Sequence, residues 1–134
     1  ASMVNKAILC VDDEKIVLTS LKSQFKKNFG DRYLYEFAES AAEAWEVIEE
    51  LYGAGIEILV IVSDWLMPKT KGDELLIDIH NKFPKIVTVM LTGHADQQSI
   101  DRCREQANLH RCLVKPWTEQ ELIETIESGL ELLQ

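Results

Sequence analysis

Apolar residues in this chain fall into two alternating kinds of run. The short runs are nearly continuous and rich in β-branched residues: Ala7 to Val11, Tyr33 to Ala38, Ile56 to Val62, Ile86 to Leu91 and Arg111 to Val114. Between them, apolar residues recur at three- and four-residue spacing, the signature of one buried helix face. Val17, Leu21, Phe25 and Phe29, with Leu18 beside them, form the first such stripe. Ala41, Ala44, Trp45, Ile48, Leu51 and Tyr52 form the second and place Trp45 in the core. Leu75, Leu76, Ile79 and Phe83 form the third, closed by Pro84. The stripe at 95–107 is thin, with Ile100, Cys103 and Ala107 only; the last carries Leu122, Ile126, Leu130 and Leu133.

The punctuation agrees with these periods. Ser40-Ala41-Ala42-Glu43 and Thr118-Glu119-Gln120-Glu121 have the spacing of capping boxes, in which a hydroxyl and a carboxylate satisfy early helical N–H groups reciprocally. Gly53 and Gly55 end the second helix. Five strands alternating with five helices predict right-handed crossovers and a parallel sheet covered on both faces. The simplest such fold is a doubly wound α/β domain of flavodoxin-like strand order 2-1-3-4-5. Residues 6–134 are assigned to this domain, and residues 1–5 to a cloning remnant or a disordered N-terminus.

Composition narrows the partners. The chain is 46% hydrophobic, enough for a real core at 134 residues. Its 23 acidic residues outnumber 14 basic ones, for a formal charge of −9. That surplus repels phosphate backbones and anionic lipid, so direct nucleic-acid or membrane binding is not expected. No apolar run approaches the roughly 20 residues of a membrane-spanning helix. Cys10, Cys103 and Cys112 are scattered, with no zinc spacing or disulfide framework, and read as small buried residues in a reducing cytoplasm. His80, His94 and His110 show no ligand spacing and read as surface or partly buried side chains. No glycine-rich nucleotide loop is present.

In an open parallel sheet, ligands bind at the carboxyl ends of the strands, beside the point where strand order reverses. The predicted strand ends are Asp12-Asp13, Asp64, Thr92 and Lys115. Three carboxylates brought together repel one another unless a cation sits among them, and a hard, oxygen-seeking Mg²⁺ suits that set. An ionised Asp64 can attack phosphorus to form an acyl phosphate; Thr92 can donate a hydrogen bond to the phosphoryl group, and Lys115 can supply it a positive charge. The competing explanation makes Asp12-Asp13 helix caps and Lys115 a surface residue, but it leaves the coincidence at four strand ends unexplained.

From about Lys6 to Leu133 the chain resembles a two-component response-regulator receiver domain. Val11-Asp12-Asp13-Glu14 matches that family's acidic pair, and Ser63-Asp64-Trp65-Leu66-Met67-Pro68, with Gly72 following, matches the phosphoacceptor loop. Leu91-Thr92-Gly93 matches the hydroxyl position and Val114-Lys115-Pro116-Trp117 the lysine motif. The resemblance implies Mg²⁺ bound by Asp13, Asp64 and the backbone carbonyl of Leu66, with Asp12 acting largely through water. It also implies a cis Lys115–Pro116 bond, and phosphorylation of Asp64 by a sensor histidine kinase or phosphotransfer protein. The fourth helix, fifth strand and fifth helix would then reshape to control an attached or separate output, with homodimerisation through that face as an option. Such a domain catalyses only its own phosphorylation and dephosphorylation. One departure stands out: Cys112 occupies the position three residues before the lysine where the family carries a switching aromatic ring. Leu66 and His94 fall at the variable positions that set water access to the phosphoryl group. A Mg²⁺-dependent aspartyl phosphatase is the rival, but it wants an acid two positions after the nucleophile, where this chain has Leu66.

Overall fold

The computed structural model describes residues 4–94 and 96–134. Five strands and five helices alternate: β1 Lys6–Val11, α1 Lys15–Phe29, β2 Leu34–Ala38, α2 Ala41–Gly53, β3 Glu57–Asp64, α3 Gly72–Lys82, β4 Val87–Thr92, α4 Gln97–Gln106, β5 Arg111–Val114 and α5 Glu119–Glu131. All neighbouring strands pair parallel in the order β2-β1-β3-β4-β5, as the alternation predicts. The chain thus reverses direction of winding after β2, leaving a crevice between β1 and β3 at their carboxyl ends.

Because side chains alternate across each strand, the sheet builds two cores. Ala7, Leu9, Val11, Ile61 and Met90 face α2, α3 and α4, where they meet Ile48, Leu76, Ile79 and Cys103. Ile8, Cys10, Val60, Val62, Val89 and Leu91 face α1 and α5, meeting Leu21, Phe25, Leu122 and Ile126. β3 is buried along nearly its whole length, which is why its sequence reads as an uninterrupted apolar run.

Several expectations are refined. Both boxes form only in part: Ser40 and Thr118 accept from the N–H groups of Glu43 and Glu121 at 3.1 Å each, while the Thr118 hydroxyl donates to the Glu121 carboxylate. Trp45, expected in the core, is half-buried at its margin, where Lys82 Nζ lies 5.7 Å from the ring centre. It sits at the edge of the α2 stripe, whose centre is filled by Ala41, Ala44, Ile48 and Leu51. Leu133 lies beyond the last turn of α5 and is exposed. Cys10 and Cys103 are buried as expected, but Cys112 is only half-buried, because β5 is an edge strand. Asp96 caps α4 by accepting from Ser99 N at 2.7 Å, so the helix begins later than its apolar spacing suggests. Ala95, part of that expected helix, and residues 1–3 of the expected N-terminal remnant lie outside the described residues. The backbone carbonyl of Asn5, also assigned to that remnant, accepts from Glu57 N at 2.8 Å and so continues the sheet.

Candidate phosphoacceptor site

Sheet register brings the candidate residues together. Val11 pairs with Ser63, so Asp12, just past the end of β1, and Asp64, the last residue of β3, lie side by side. Thr92 pairs with Val114, which sets Lys115 at the same rim, where its N–H donates to Thr92 O at 2.8 Å. The Lys115–Pro116 bond is cis, as the resemblance implies.

Asp12 is fully buried and fully occupied. One carboxylate oxygen accepts from Glu14 N at 2.8 Å, and the other accepts from Lys115 Nζ at 2.8 Å. The same ammonium donates to Asp64 Oδ1 at 3.1 Å and lies 3.8 Å from Glu14 Oε1. Asp13 is exposed, and ligand atoms of Asp12, Asp13 and Asp64 all lie within 4.8 Å of one another. The capping explanation of Asp12-Asp13 fails here: Asp12 closes a turn before the helix, and the α1 N-cap is Glu14, which makes no side-chain cap bond.

Electrostatics follow from this crowding. Burial, and then the neighbouring Asp12 charge, push the Asp64 carboxyl above the usual carboxylate range, with Asp13 adding to the push and Lys115 opposing it. Burial alone would favour a neutral Lys115 amine, but hydrogen bonds and charge from Asp12 and Asp64 outweigh it and raise its pKa. One ammonium therefore stands against three close carboxylates and Glu14. A site that holds its acid back from ionising gains from a second cation, and its donors are all oxygens, so the residues fit a divalent ion of the Mg²⁺ type.

A cavity of about 340 Å³ opens over these groups, lined by Asp13, Glu14, Asp64, Trp65, Leu66, Thr92, Gly93, His94 and Lys115. It has room for a phosphoryl group. Leu66 stands on its rim with 61% of its surface exposed, and the Thr92 hydroxyl accepts from His94 N at 2.9 Å. The loop after β3 is keyed from below by Gly72. Its N–H donates to Trp65 O at 2.7 Å, and any Cβ at that position would overlap the Asp64 carbonyl. Only glycine permits that approach.

All the sequence-predicted site residues thus meet at one rim. Sequence reasoning gave no role to two others, Glu14 and Asp73. Glu14 reaches Lys115, and its position directly after the acidic pair was the available signal. Trp65, which follows Asp64, packs into the core, and Lys71 Nζ lies 5.3 Å from its ring centre. Asp73 is buried at the first turn of α3, where an acid ordinarily reads as a solvated helix start.

The comparisons with known proteins agree with this geometry. The family described as response regulator receiver domain matches residues 8–127. Chemotaxis protein CheY1 of Helicobacter pylori (strain J99) is 29% identical over 122 residues, covering 90% of this chain and 93% of its own. Hydrogenase transcriptional regulatory protein HoxA of Cupriavidus necator is 26% identical over 124 residues, and sensor kinase CckA of Brucella abortus 30% over 128; each match covers 92% of this chain. The chain spans only 24% of that HoxA and 12% of that CckA. Among solved structures, the signal receiver domain of an HD domain-containing protein from Pseudomonas fluorescens Pf-5 superposes with a TM-score of 0.85 at 28% identity, covering 96% of this chain and 97% of that one. The beryllofluoride-activated NtrC4 receiver domain dimer gives 0.81 at 26% identity, covering 96% and 98%. The strand order, the acidic rim and the family match lead to one conclusion: this chain belongs to the response regulator receiver domains of two-component signalling.

Proposed function

We propose that Asp64 is the phosphoacceptor, that Asp12, Asp13, Asp64 and the Leu66 backbone carbonyl serve Mg²⁺, and that Thr92 and Lys115 complete the site. The observation that carries this reading is the single ammonium of Lys115 bridging Asp12 and Asp64, at 2.8 and 3.1 Å, under a cavity of phosphoryl size. Asp13, Asp64 and the Leu66 carbonyl would hold the ion directly, with Asp12 acting through water. When bound, Mg²⁺ neutralises charge on the phosphoryl oxygens and favours the ionised Asp64.

The chain's own residues account for the rest. An Asp64 carboxylate oxygen attacks phosphorus in line with the departing imidazole of a phosphohistidine. The P–N bond breaks as the P–O bond forms, and the histidine nitrogen keeps the electron pair and takes up a proton. Lys115 turns part of its charge from Asp64 to a phosphoryl oxygen, and the Thr92 hydroxyl donates to another. Hydrolysis of the acyl phosphate by water follows at the same site, where Leu66 on the rim shields the phosphorus. The domain acts on itself and turns over no metabolite. Leu66 is apolar where an aspartyl phosphatase would carry its acid, which speaks for a phosphoacceptor.

The donor is a sensor histidine kinase or a phosphotransfer protein of the cytoplasm. The output is an attached domain or a separate partner, reached through α4, β5 and α5, and that face also suits a homodimer. Among the described residues, no helix is long and apolar enough to cross a membrane. Incubation with acetyl phosphate and Mg²⁺, followed by intact mass measurement, tests the reading. One phosphoryl adduct is expected in the wild type, none with chelator and none in Asp64→Asn; equal labelling of Asp64→Asn would refute it.

A further inference from the structure

Asp73 is where the rigid floor of the site meets the helix held least firmly. Its neighbour Gly72 is pressed against the Asp64 carbonyl and bonded to Trp65 O, so movement of the Asp64–Trp65 backbone has no slack to absorb it before Asp73. Asp73 itself is 3% exposed. Its Oδ2 accepts from Arg102 Nη1 of α4 at 3.2 Å, and its backbone carbonyl accepts from Cys103 Sγ at 3.8 Å. Among the described residues, these are the hydrogen bonds from α4 side chains to other elements, and both end on Asp73. The second carboxylate oxygen, Oδ1, is buried without a partner.

We propose that the Asp73–Arg102 ion pair is a latch that keeps α4 in its resting position and ties that position to the state of Asp64. The proposal rests on Asp64 being the phosphoacceptor. The pair is unequal in a way that suits the role. Asp73 is fixed and sheltered from water, whereas the Arg102 side chain keeps 44% of its surface exposed and can swing into solvent. A buried carboxylate held by one arm, with its other oxygen unpaired, gains from that arm and loses sharply when it moves. Apart from this pair α4 is held by Cys103, its one buried residue, and by Ile100, partly buried against the same core. With Cys112 in place of a switching ring, this pair gives the site a physical connection to α4. At equilibrium, phosphorylation of Asp64 and release of α4 then favour one another by the same factor, and a variant that already populates the released arrangement takes up the phosphoryl group faster.

Two readouts test this in the intact chain: amide hydrogen exchange with no phosphodonor present, and the rate of acyl phosphate formation from acetyl phosphate with Mg²⁺. Arg102 is partly exposed, so Arg102→Met should fold. It should speed exchange of the 97–106 amides about tenfold, leave 72–82 nearly unchanged, and speed labelling of Asp64 about fivefold. Arg102→Lys should restore much of the protection. Asp73→Asn should match Arg102→Met, with the double variant no worse than either. Unchanged α4 exchange in Arg102→Met would overturn the latch, as would additive effects in the double variant. Faster α4 exchange with unchanged Asp64 labelling would reduce the pair to a local tether and overturn the coupling. A wild type that never labels refutes the phosphoacceptor reading instead, and the coupling with it, while the exchange result still decides whether α4 is latched.

Discussion

α3 and α4 are neighbours of similar length, yet they are held in opposite ways. α3 buries Leu75, Leu76, Ile77 and Ile79 along with Gly72 and Asp73, whereas α4, whose sequence is Gln97-Gln98-Ser99-Ile100-Asp101-Arg102-Cys103-Arg104-Glu105-Gln106, buries only Cys103. Full burial of one leucine-sized side chain stabilises by about 1.5–3 kcal/mol, so α3 is anchored several times over and α4 only by Cys103 and the partly buried Ile100. The difference is functional. In the proposed switch, α3 keeps the loop bearing Asp64 fixed against the sheet and α4 leaves it. Low local stability is what a moving element requires.

Four experiments bear on that contrast, the most disruptive first. Leu76→Ala should cost about 2–5 kcal/mol in urea unfolding, because it opens a cavity where α3 meets the sheet. Gly72→Ala should cost about 1–3 kcal/mol, since a Cβ cannot fit beside the Asp64 carbonyl, and it should also slow acetyl phosphate labelling by displacing the loop. Cys103→Ala, at the only buried position of α4, should cost about 1 kcal/mol and raise α4 hydrogen exchange far more than that of α3. A similar cost for Leu76→Ala and Cys103→Ala would erase the contrast.

The smallest effect concerns pH. The His110 ring follows α4 and sets Nε2 3.2 Å from Thr125 O and 2.8 Å from Ser128 Oγ of α5. Burial holds its imidazole below the ordinary value of 6.5. As pH falls through about 6.5 the unfolded chain takes up this proton before the folded one does, so stability falls, then levels off once the folded form is protonated too. Thermal unfolding at stepped pH should show a small loss in the wild type that His110→Gln lacks; identical profiles would remove His110 as its source.

Much of this was legible in the sequence because the same residues encode pattern and placement. Apolar runs ending in Asp12-Asp13, Asp64, Thr92 and Lys115 fix both the strands and the rim, and parallel register then leaves those side chains nowhere else to converge. The thin stripe of α4 announced its weak hold. What the pattern did not carry was tertiary. Helical spacing put Trp45 on the apolar stripe, but smaller residues fill the centre of that stripe and leave the indole at its margin. Nothing in the sequence sets Asp73 apart from an ordinary first-turn acid, and it is the packing of α4 against α3 that gives it Arg102. Gly72 matched a spacing, while the reason for glycine, contact with the Asp64 carbonyl, depends on how the β3–α3 loop folds back.

On the proposed mechanism one carboxylate among three, that of Asp64, receives the phosphoryl group. Borohydride reduces an acyl phosphate to the alcohol, so trapping after acetyl phosphate treatment, followed by peptide mass mapping, reads the acceptor directly. Homoserine is expected at position 64 alone, formed with Mg²⁺ and absent with chelator. An unmodified residue 64, or reduction at Asp12 or Asp13 instead, would contradict it.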